Sequence, residues 1–396
     1  MMRLFLHLFF AFFILALTAQ NINKVTIAQR QYCDTIPFEY VNGKIIILVK
    51  IAGEDKRFIL DTGAPLLISD VLQAKMRNKE VGKIKVKDIT GKTNEEQLVA
   101  IDHFQIGHLD FQNTIGTVFN KDKSGPLVCY NIDGLIGSSV LNTSCIHIDA
   151  DKKILILTDN IANLHREQDF RISIKLDAAT RPFMSFDFGD NSSLDVLFDS
   201  GSSKCLLLSM EGYTQLSKNK KGILLNKGYG SVSSGLYGAG NAGNEFRVLV
   251  PALNFGHSTI TGVIATASES KKKSSIGLGL ADYGSITIDY RNKFFYFGSK
   301  SEKQLFKEAS FFGFLPQYAE NTFKVGVVYE NTEASEKGLK PGYRILKLND
   351  YDLSELTMTT VCEALFAYFS GQPKIILTYV TESGESKTIE LENKKI

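Results

Sequence analysis

The chain contains the same pattern twice, and this duplication limits its fold more than any other feature. Residues 56–69 (KRFILDTGAPLLIS) resemble residues 194–209 (LDVLFDSGSSKCLLLS). Further along, residues 133–157 resemble residues 276–297, in the same order and at nearly the same offset. Two matching segments at one offset indicate an internal duplication, so we expect two similar lobes.

Short β-rich runs bounded by Gly, Asp and Asn fill most of residues 36–300, and long amphipathic helix patterns are scarce there. The clearest helix candidate is short, at residues 69–77. The pattern therefore predicts a mainly β body. We place its lobes at residues 33–165 and 166–300, joined by the polar segment 159–170.

Composition excludes several classes of function. Lys and Arg number 45 against 43 Asp and Glu, so the net charge of +2 gives no electrostatic reason to expect nucleic acid or an anionic membrane surface as a partner. The five Cys include no CxxC pair, which argues against a zinc site. We expect no metal and no cofactor.

The N-terminus has the pattern of a secretory signal peptide. Arg3 precedes a long apolar run that ends in small residues, and the expected cleavage point lies near Ala19 or Gln20. The alternative is an uncleaved membrane anchor, but the run is short for a span and contains His7. We therefore treat residues 1–20 as a signal peptide. The mature chain is expected to have no stable membrane span and to be periplasmic or extracellular.

Each copy of the duplicated unit carries an Asp-Ser/Thr-Gly triad after an apolar strand: Asp61-Thr62-Gly63 and Asp199-Ser200-Gly201. One such triad is more typical of an ordinary turn. Two at equivalent points of a duplicated unit predict two carboxylates that meet between the lobes and share one proton. Such a pair suits general acid–base hydrolysis of an amide, because one carboxylate activates water while the other donates a proton. Each Gly allows a tight turn, and each hydroxyl can hydrogen-bond to the opposite loop.

With these triads, residues 36–300 resemble an aspartic protease of the pepsin and retroviral-protease clan, of the bacterial secreted type. Each triad is followed by an apolar-Gly motif, GLIG at 134–137 and GLGL at 277–280. The resemblance implies two β-barrel lobes and endopeptidase activity on a protein or peptide substrate. It assigns roles to a catalytic pair, Asp61 and Asp199, and to the loop-supporting residues Thr62, Gly63, Ser200, Gly201, Gly134 and Gly277.

The expected flaps depart from the pepsin pattern. Pepsins carry a Tyr on the first-lobe flap, whereas residues 86–95 contain no aromatic residue. The Gly-rich stretch 228–246 offers two tyrosines instead, so either the flap works differently or the second lobe supplies the lid; a mobile loop is the alternative. The flap candidates are Thr90, Gly91, Tyr229 and Tyr237.

After residue 300 the pattern changes to that of a small α+β domain, residues 305–396, with a helix at about 356–369. This part resembles a PDZ domain, with Tyr343 where the family usually has Asp. The resemblance implies that a peptide C-terminus binds at the loop Phe312-Gly313-Phe314. Pro316 shortens the strand edge with which such a peptide would pair, so a structural cap on the protease remains the alternative.

Cysteine usage leaves two expectations. Cys362 lies on the apolar face of the C-terminal helix, which predicts a core residue. Cys129 and Cys145 lie in the same lobe and could pair in an oxidising compartment.

Together these patterns predict an exported aspartic endopeptidase with a C-terminal PDZ-like domain. The alternative from another class is a catalytically silent protein that binds peptides in the same cleft and in the PDZ groove. A protease that acts on one dedicated partner is a third possibility.

Overall fold

The computed structural model describes residues 22–394 except 88–91, 123, 165–169, 189–192, 232–233, 236–237, 308–310 and 320. The predicted signal peptide lies outside the described residues.

The first lobe is built from strands and two short helices, α1 (Asp70–Met76) and α2 (Ser138–Leu141). Its strands are β1 (Thr26–Ile27), β2 (Cys33–Pro37), β3 (Glu39–Val41), β4 (Lys44–Ile51), β5 (Glu54–Asp61), β6 (Leu67–Ser69), β7 (Glu80–Lys87), β8 (Thr93–Ile106), β9 (Leu109–Phe119), β10 (Gly134–Gly137), β11 (Cys145–Asp149) and β12 (Ile154–Thr158). A 3₁₀ turn at Gly125–Tyr130 precedes β10, and another lies at Ile161–Asn163.

The second lobe repeats this arrangement with one longer helix, α3 (Met210–Lys218), and a 3₁₀ turn at Leu278–Asp282. Its strands are β13 (Phe170–Leu176), β14 (Pro182–Asp187), β15 (Ser193–Asp199), β16 (Leu206–Ser209), β17 (Ile223–Gly230), β18 (Ser234–Gly235), β19 (Gly238–Ala239), β20 (Gly243–Phe255), β21 (Ser258–Ser268), β22 (Ser274–Gly277), β23 (Gly284–Asp289), β24 (Phe294–Ser299) and β25 (Lys303–Leu305).

The strand pairings around the two triads correspond. In the first lobe β10 lies between β5, to which it is parallel, and β6, to which it is antiparallel; β22 lies in the same way between β15 and β16. Ser69 and Ser209 cap the two equivalent helices, each accepting a hydrogen bond from the backbone N–H three residues ahead. The mainly β prediction is confirmed, and so is the short helix expected at 69–77.

The lobes are joined by one sheet to which each contributes three strands, in the order β2-β12-β11-β23-β24-β13. The central pair, β11 and β23, is antiparallel, and its apolar residues Ile146, Ile148, Ile286 and Ile288 are fully buried. Burial of these side chains supplies a large favourable free energy for joining the lobes. The sheet thereby fixes the position of one lobe relative to the other.

The C-terminal module (residues 311–394) has its own buried core, which includes Phe314, Leu348, Leu377 and Leu391. Its helices are α4 (Glu333–Glu336) and α5 (Met358–Tyr368), the second close to the predicted range. Its strands are β26 (Phe314–Ala319), β27 (Thr322–Tyr329), β28 (Arg344–Leu348), β29 (Tyr351–Asp352), β30 (Lys374–Val380) and β31 (Ser386–Glu392).

The module is attached to both lobes. Its strand β27 pairs antiparallel with β17 of the second lobe, from Gly228 opposite Tyr329 to Gly230 opposite Val327. In the first lobe, the 3₁₀ turn Gly125–Tyr130 lies against α5 and β26. A disulfide between Cys129 and Cys362 joins that turn to α5.

The disulfide corrects both cysteine expectations. Cys362 is not a simple core residue, and Cys129 pairs with Cys362 instead of Cys145, which is buried in β11. Residues 129 and 362 are separated by 233 positions, so only the docking of the module brings them together. No described helix is both long enough and apolar enough to span a bilayer.

Candidate active site

The two triads end two equivalent buried strands. Phe58 and Leu60 of β5, and Val196 and Phe198 of β15, are at most 1% exposed, which anchors the loops that follow. Asp61 and Asp199 are the last residues of these strands and are only half-buried. The strands therefore bring one carboxyl group from each lobe to the boundary between the lobes.

Four hydrogen bonds join the two loops reciprocally. The Thr62 hydroxyl donates to the Phe198 carbonyl (2.8 Å) and accepts from the Ser200 backbone N–H (3.0 Å). The Ser200 hydroxyl donates to the Leu60 carbonyl (2.9 Å) and accepts from the Thr62 N–H (2.9 Å). Both hydroxyls are fully buried, so each bond replaces water that these groups cannot reach. The predicted cross-loop bonding of the two hydroxyls is present in this geometry.

The two carboxyl groups lie close together, because a Cβ on Gly63 would be 2.8 Å from Asp199 Oδ1 and 3.2 Å from Asp61 Oδ1. Burial raises the pKa of Asp61 above its ordinary value, and the negative charge of Asp199 raises it further. The charge of Lys44 and the hydrogen bond from the Gly63 N–H, 2.9 Å from Asp61 Oδ1, act in the opposite direction. This environment favours one proton shared by the pair over two ionised carboxylates.

Gly63 and Gly201 lie directly against the opposite carboxyl group. A Cβ on Gly63 would lie 2.8 Å from Asp199 Oδ1, and one on Gly201 would overlap the Asp61 carboxyl group. At both positions the turn needs Gly because the carboxyl group of the other lobe occupies the space of a side chain.

Among the later glycines, Gly277 pairs with Asp199 in the parallel ladder of β22 and β15. Its counterpart in the first lobe is Gly137, which pairs with Asp61. The predicted Gly134 lies three residues earlier, opposite Phe58, where it lets the phenyl ring approach the backbone. The resemblance thus selected the right motif, but the glycine nearest the active-site loop is Gly137.

The first loop has a support that sequence reasoning missed. The Ser138 hydroxyl donates to the Thr62 carbonyl (2.6 Å) and lies 3.0 Å from the hydroxyl of Tyr290, a buried residue just after β23 of the second lobe. Ser138 directly follows the GLIG motif, whereas Leu278 follows Gly277 at the equivalent place. That difference between the copies is the sequence signal for this support.

Lys44 was also missed by sequence reasoning. Its ammonium group donates to the carbonyl of Gly201 in the second loop, and the side chain is half-buried. Burial lowers the pKa of Lys44, while the charges of Asp61 and Asp199 oppose that change. A lysine close to both carboxylates adds positive charge to a site that the motifs describe as purely acidic.

The flap candidates are placed only in part. Thr90, Gly91 and Tyr237 lie outside the described residues. Tyr229 lies on β17 with its side chain 55% exposed, opposite Val328 of the C-terminal module. The second-lobe hairpin is therefore hydrogen-bonded to the module along one edge.

The predicted peptide-binding loop of the module is buried. Phe312 and Phe314 are at most 2% exposed, and their rings contact that of Tyr368 with centroids 5.3 and 5.4 Å away. The Tyr368 hydroxyl donates to the Phe314 carbonyl. Gly313 has a φ of 78°, and a Cβ there would lie 2.6 Å from the Thr332 hydroxyl. The loop Phe312-Gly313-Phe314 therefore packs against other residues of the same module.

In chemical terms the site offers two carboxyl groups placed to share a proton, while the hydroxyls of Thr62 and Ser200 are engaged in the cross-loop hydrogen bonds. Within the described ranges, no three His, Cys, Asp or Glu side chains are grouped to hold a metal ion. The geometry is therefore suited to general acid–base chemistry on a bound water.

Part of the chain is similar to a known protein family. Residues 47–140, from β4 to α2 and including the first triad, match the family model for aspartyl protease. No curated protein matches the chain.

Among solved structures, basic 7S globulin from soybean is similar with 11% identity, covering 69% of this chain and 96% of its own, at a TM-score of 0.43. A retropepsin-like aspartic protease from Rickettsia conorii is similar with 21% identity, covering 34% of this chain and 93% of its own, at a TM-score of 0.24.

Proposed function

We propose that the protein is an aspartic-type endopeptidase that hydrolyses peptide bonds with a water activated between Asp61 and Asp199. The observation that carries this proposal is the reciprocal bonding of Thr62 and Ser200 to the opposite loops. A protein that only binds peptides has no need for two carboxyl groups held this close. The aspartyl protease match over residues 47–140 supports the same conclusion.

The reaction follows from the shared proton. The ionised carboxylate takes a proton from water, and the resulting hydroxide attacks the peptide carbonyl carbon. The protonated carboxyl group donates its proton to the carbonyl oxygen, which gives a tetrahedral intermediate without a covalent bond to the enzyme. On collapse of this intermediate the C–N bond breaks: the carboxyl group that took the proton from water gives it to the leaving nitrogen, and the other carboxylate takes a proton from a hydroxyl of the intermediate. The pair then holds one proton again and can repeat the cycle.

The test is cleavage of a peptide library from pH 3 to 8, followed by mass spectrometry, with Asp61→Asn and Asp199→Asn beside the wild type. Each variant is expected to lose at least about a hundredfold in rate, because each removes one partner of the acid–base pair. Asp195→Asn, on the exposed side of β15, is the matched control and is expected to cleave like wild type. Full activity in either triad variant would refute the mechanism. Tight binding of uncut peptides by the wild type would favour the silent peptide-binding protein.

We also propose that the protein is exported to the periplasm or the extracellular space. The signal-peptide pattern of residues 1–20 motivates this proposal, and the Cys129–Cys362 disulfide supports it, since structural disulfides persist in oxidising compartments. Mass spectrometry of the N-terminus of the protein recovered from culture fractions tests it. A mature chain that starts near residue 20 outside the cytoplasm is the expected result, and a chain that retains Met1 would contradict it.

For the PDZ-like domain, we propose the role of a bridge between the lobes. Three contacts favour a bridging role rather than the role of an open peptide receptor. They are the β17–β27 pairing, the Cys129–Cys362 disulfide, and the Tyr130 ring packed on Phe366 with centroids 5.8 Å apart. The first-lobe turn Gly125–Tyr130 lies against β26 and α5, between which a peptide would bind. Titration of the oxidised protein with C-terminal peptides is expected to show no binding at this groove, and saturable binding there would contradict the proposal.

A further inference from the structure

The turn that precedes β4 lies against the second active-site loop. A Cβ on Gly43 would overlap that of Ser203, so the two backbones are in close contact. Lys44, the first residue of β4, follows this turn. Its ammonium group donates to the Gly201 carbonyl and thus joins the first lobe to the second triad.

Lys44 also lies beside the first triad. The antiparallel register of β4 and β5 places Ile46 opposite Ile59, and two further residues bring Lys44 opposite Asp61. Residues opposite each other in an antiparallel pair have their side chains on the same face. The ammonium group is therefore positioned between a carboxylate of its own lobe and the backbone of the other lobe.

The pseudo-symmetric counterpart of Lys44 behaves differently. In the second lobe Phe183 lies opposite Leu197, so the same extension brings Arg181 opposite Asp199. The Arg181 guanidinium donates to Asp177 through Nε (2.8 Å) and Nη2 (2.6 Å). Its charge is compensated within its own lobe, whereas that of Lys44 acts on the carboxyl pair.

Among the residues that the structure describes, Lys271 and Tyr290 are two other titratable groups that the charges of the pair affect. Lys271, in the turn before β22, is half-buried; burial lowers its pKa and the charges of Asp199 and Asp61 raise it. The buried hydroxyl of Tyr290 has a raised pKa, mainly from burial, and stays neutral. Lys44 differs from both because it also holds the backbone of the second loop.

We propose that Lys44 is a positioning residue for the acid–base pair, holding the Gly201 peptide in place while its positive charge stabilises the singly ionised pair. This inference rests on the proposed function and deepens it, because it names what sets the pH range of the site. Removing the charge makes each loss of a proton from the pair less favourable. Both ionisation steps are then expected to occur at higher pH.

The experiment compares Lys44→Met and Lys44→Gln with Lys44→Arg in the full-length purified protein. Gln keeps a donor for the Gly201 carbonyl but lacks the charge, and Arg keeps both. Lys50→Met, on an exposed position of the same strand, is the matched control. The first measurement is kcat/KM against pH, and the second is a ¹³C NMR titration of the Asp carboxyl groups, which does not need cleavage.

In both neutral variants, the acidic and alkaline limbs of the profile of kcat/KM against pH are expected to move to higher pH by about one unit. On the acidic limb this shift corresponds to a loss of about tenfold in kcat/KM. Lys44→Arg is expected to restore the wild-type profile, and Lys50→Met to reproduce it. The carboxyl titration is expected to shift in the same direction, which a purely structural role would not produce.

The proposal is overturned if the limbs and the carboxyl titration of a folded neutral variant coincide with those of wild type. If Lys44→Met does not fold, Lys44→Gln decides the question in the same way. The NMR result separates this inference from the proposed function: a shifted titration in a protein that cleaves nothing would uphold the role of Lys44 and refute the protease. Cleavage with an unshifted titration would uphold the protease and refute the proposed role of Lys44.

Discussion

The two active-site loops make nearly identical contacts with each other and with the strand beside them, but the side chains around them differ. Thr62 and Ser200 exchange equivalent bonds, and Gly137 and Gly277 pair with equivalent aspartates. Around them, however, Ser138 supports the first loop while an apolar residue, Leu278, occupies the equivalent position near the second. The reciprocal geometry thus comes from the repeated motif, and the differences come from residues outside it.

The attachment of the C-terminal module shows the same contrast on a larger scale. The second-lobe hairpin is joined to it by main-chain hydrogen bonds between β17 and β27, and by the Tyr329 hydroxyl donating to buried Glu245 (2.6 Å). In the part of the first lobe that the structure describes, β7 pairs only with β8, and the covalent link to the module is the disulfide at Cys129. One lobe is therefore held to the module by main-chain hydrogen bonds, and the other by a disulfide together with side-chain packing.

The largest expected effect comes from removing the Cys129–Cys362 disulfide. Cys129→Ser is expected to lower the free energy of unfolding by about 4 kcal/mol, because the disulfide closes a long loop of the unfolded chain. Thermal unfolding with and without dithiothreitol measures it, and reduced wild type is expected to match the variant. Cys33→Ser, an exposed cysteine outside the disulfide, is the control.

Hydrogen exchange then distinguishes the two attachments. After reduction, residues 125–130 are expected to exchange faster while β17 stays protected, because its bonds to β27 do not depend on the disulfide. Equal loss of protection on both sides would show that the two attachments open as one unit.

The second effect concerns the paired glycines. A Cβ on Gly137 would overlap the Ala64 carbonyl, and one on Gly277 the Lys204 carbonyl, so backbone must move in both. Gly137→Ala and Gly277→Ala are each expected to cost about 3 kcal/mol in urea unfolding and to reduce peptide cleavage. Gly222→Ala, where the nearest atom would be 3.2 Å away, is the control. A marked difference between the destabilisation by Gly137→Ala and that by Gly277→Ala would show that the two glycines do not support their loops equally.

A smaller effect is expected from the cross-loop hydroxyls. Thr62→Val and Ser200→Ala each leave an N–H and a carbonyl of the opposite loop unpaired and buried, at a cost of about 2 kcal/mol. Because the bonds are equivalent, the two costs are expected to agree. Thr214→Val, whose hydroxyl bonds to an exposed carbonyl within α3, is the comparison. A variant as stable as Thr214→Val would show that the hydroxyls do not join the loops.

The sequence predicted the features that depend on local or repeated patterns and missed those that depend on how distant parts of the chain pack. The β-rich body, the helices near 69–77 and 356–369, and the meeting of Asp61 and Asp199 follow from local patterns that occur twice or have a clear period. The partner of Cys129 could not be predicted, because it depends on how a separate module docks 233 positions away. The burial of Phe312 and Phe314 against Tyr368 likewise depends on packing that no short motif encodes.

The charge near the carboxyl pair illustrates the same limit. Lys44 and Arg181 occupy the same register position in the two lobes. The sequence alone therefore does not show which of them influences the charge of the carboxyl pair. The difference depends on Asp177, which bonds Arg181 within its own turn. A side chain in the loop, four residues before Arg181, thus decides which of these two cations acts on the pair.

The smallest expected effect tests that difference. Arg181→Met removes a cation from the position equivalent to Lys44, but Asp177 already compensates its charge at short range. The limbs of kcat/KM against pH are therefore expected to move by less than about 0.3 unit, against about one unit for Lys44→Met. Asp177→Asn is the sharper companion, because it removes the carboxylate partner of the guanidinium and leaves an uncompensated cation at the position equivalent to Lys44. That variant is expected to move both limbs to lower pH, and the absence of any change would mean that Arg181 has no influence on the charge of the pair.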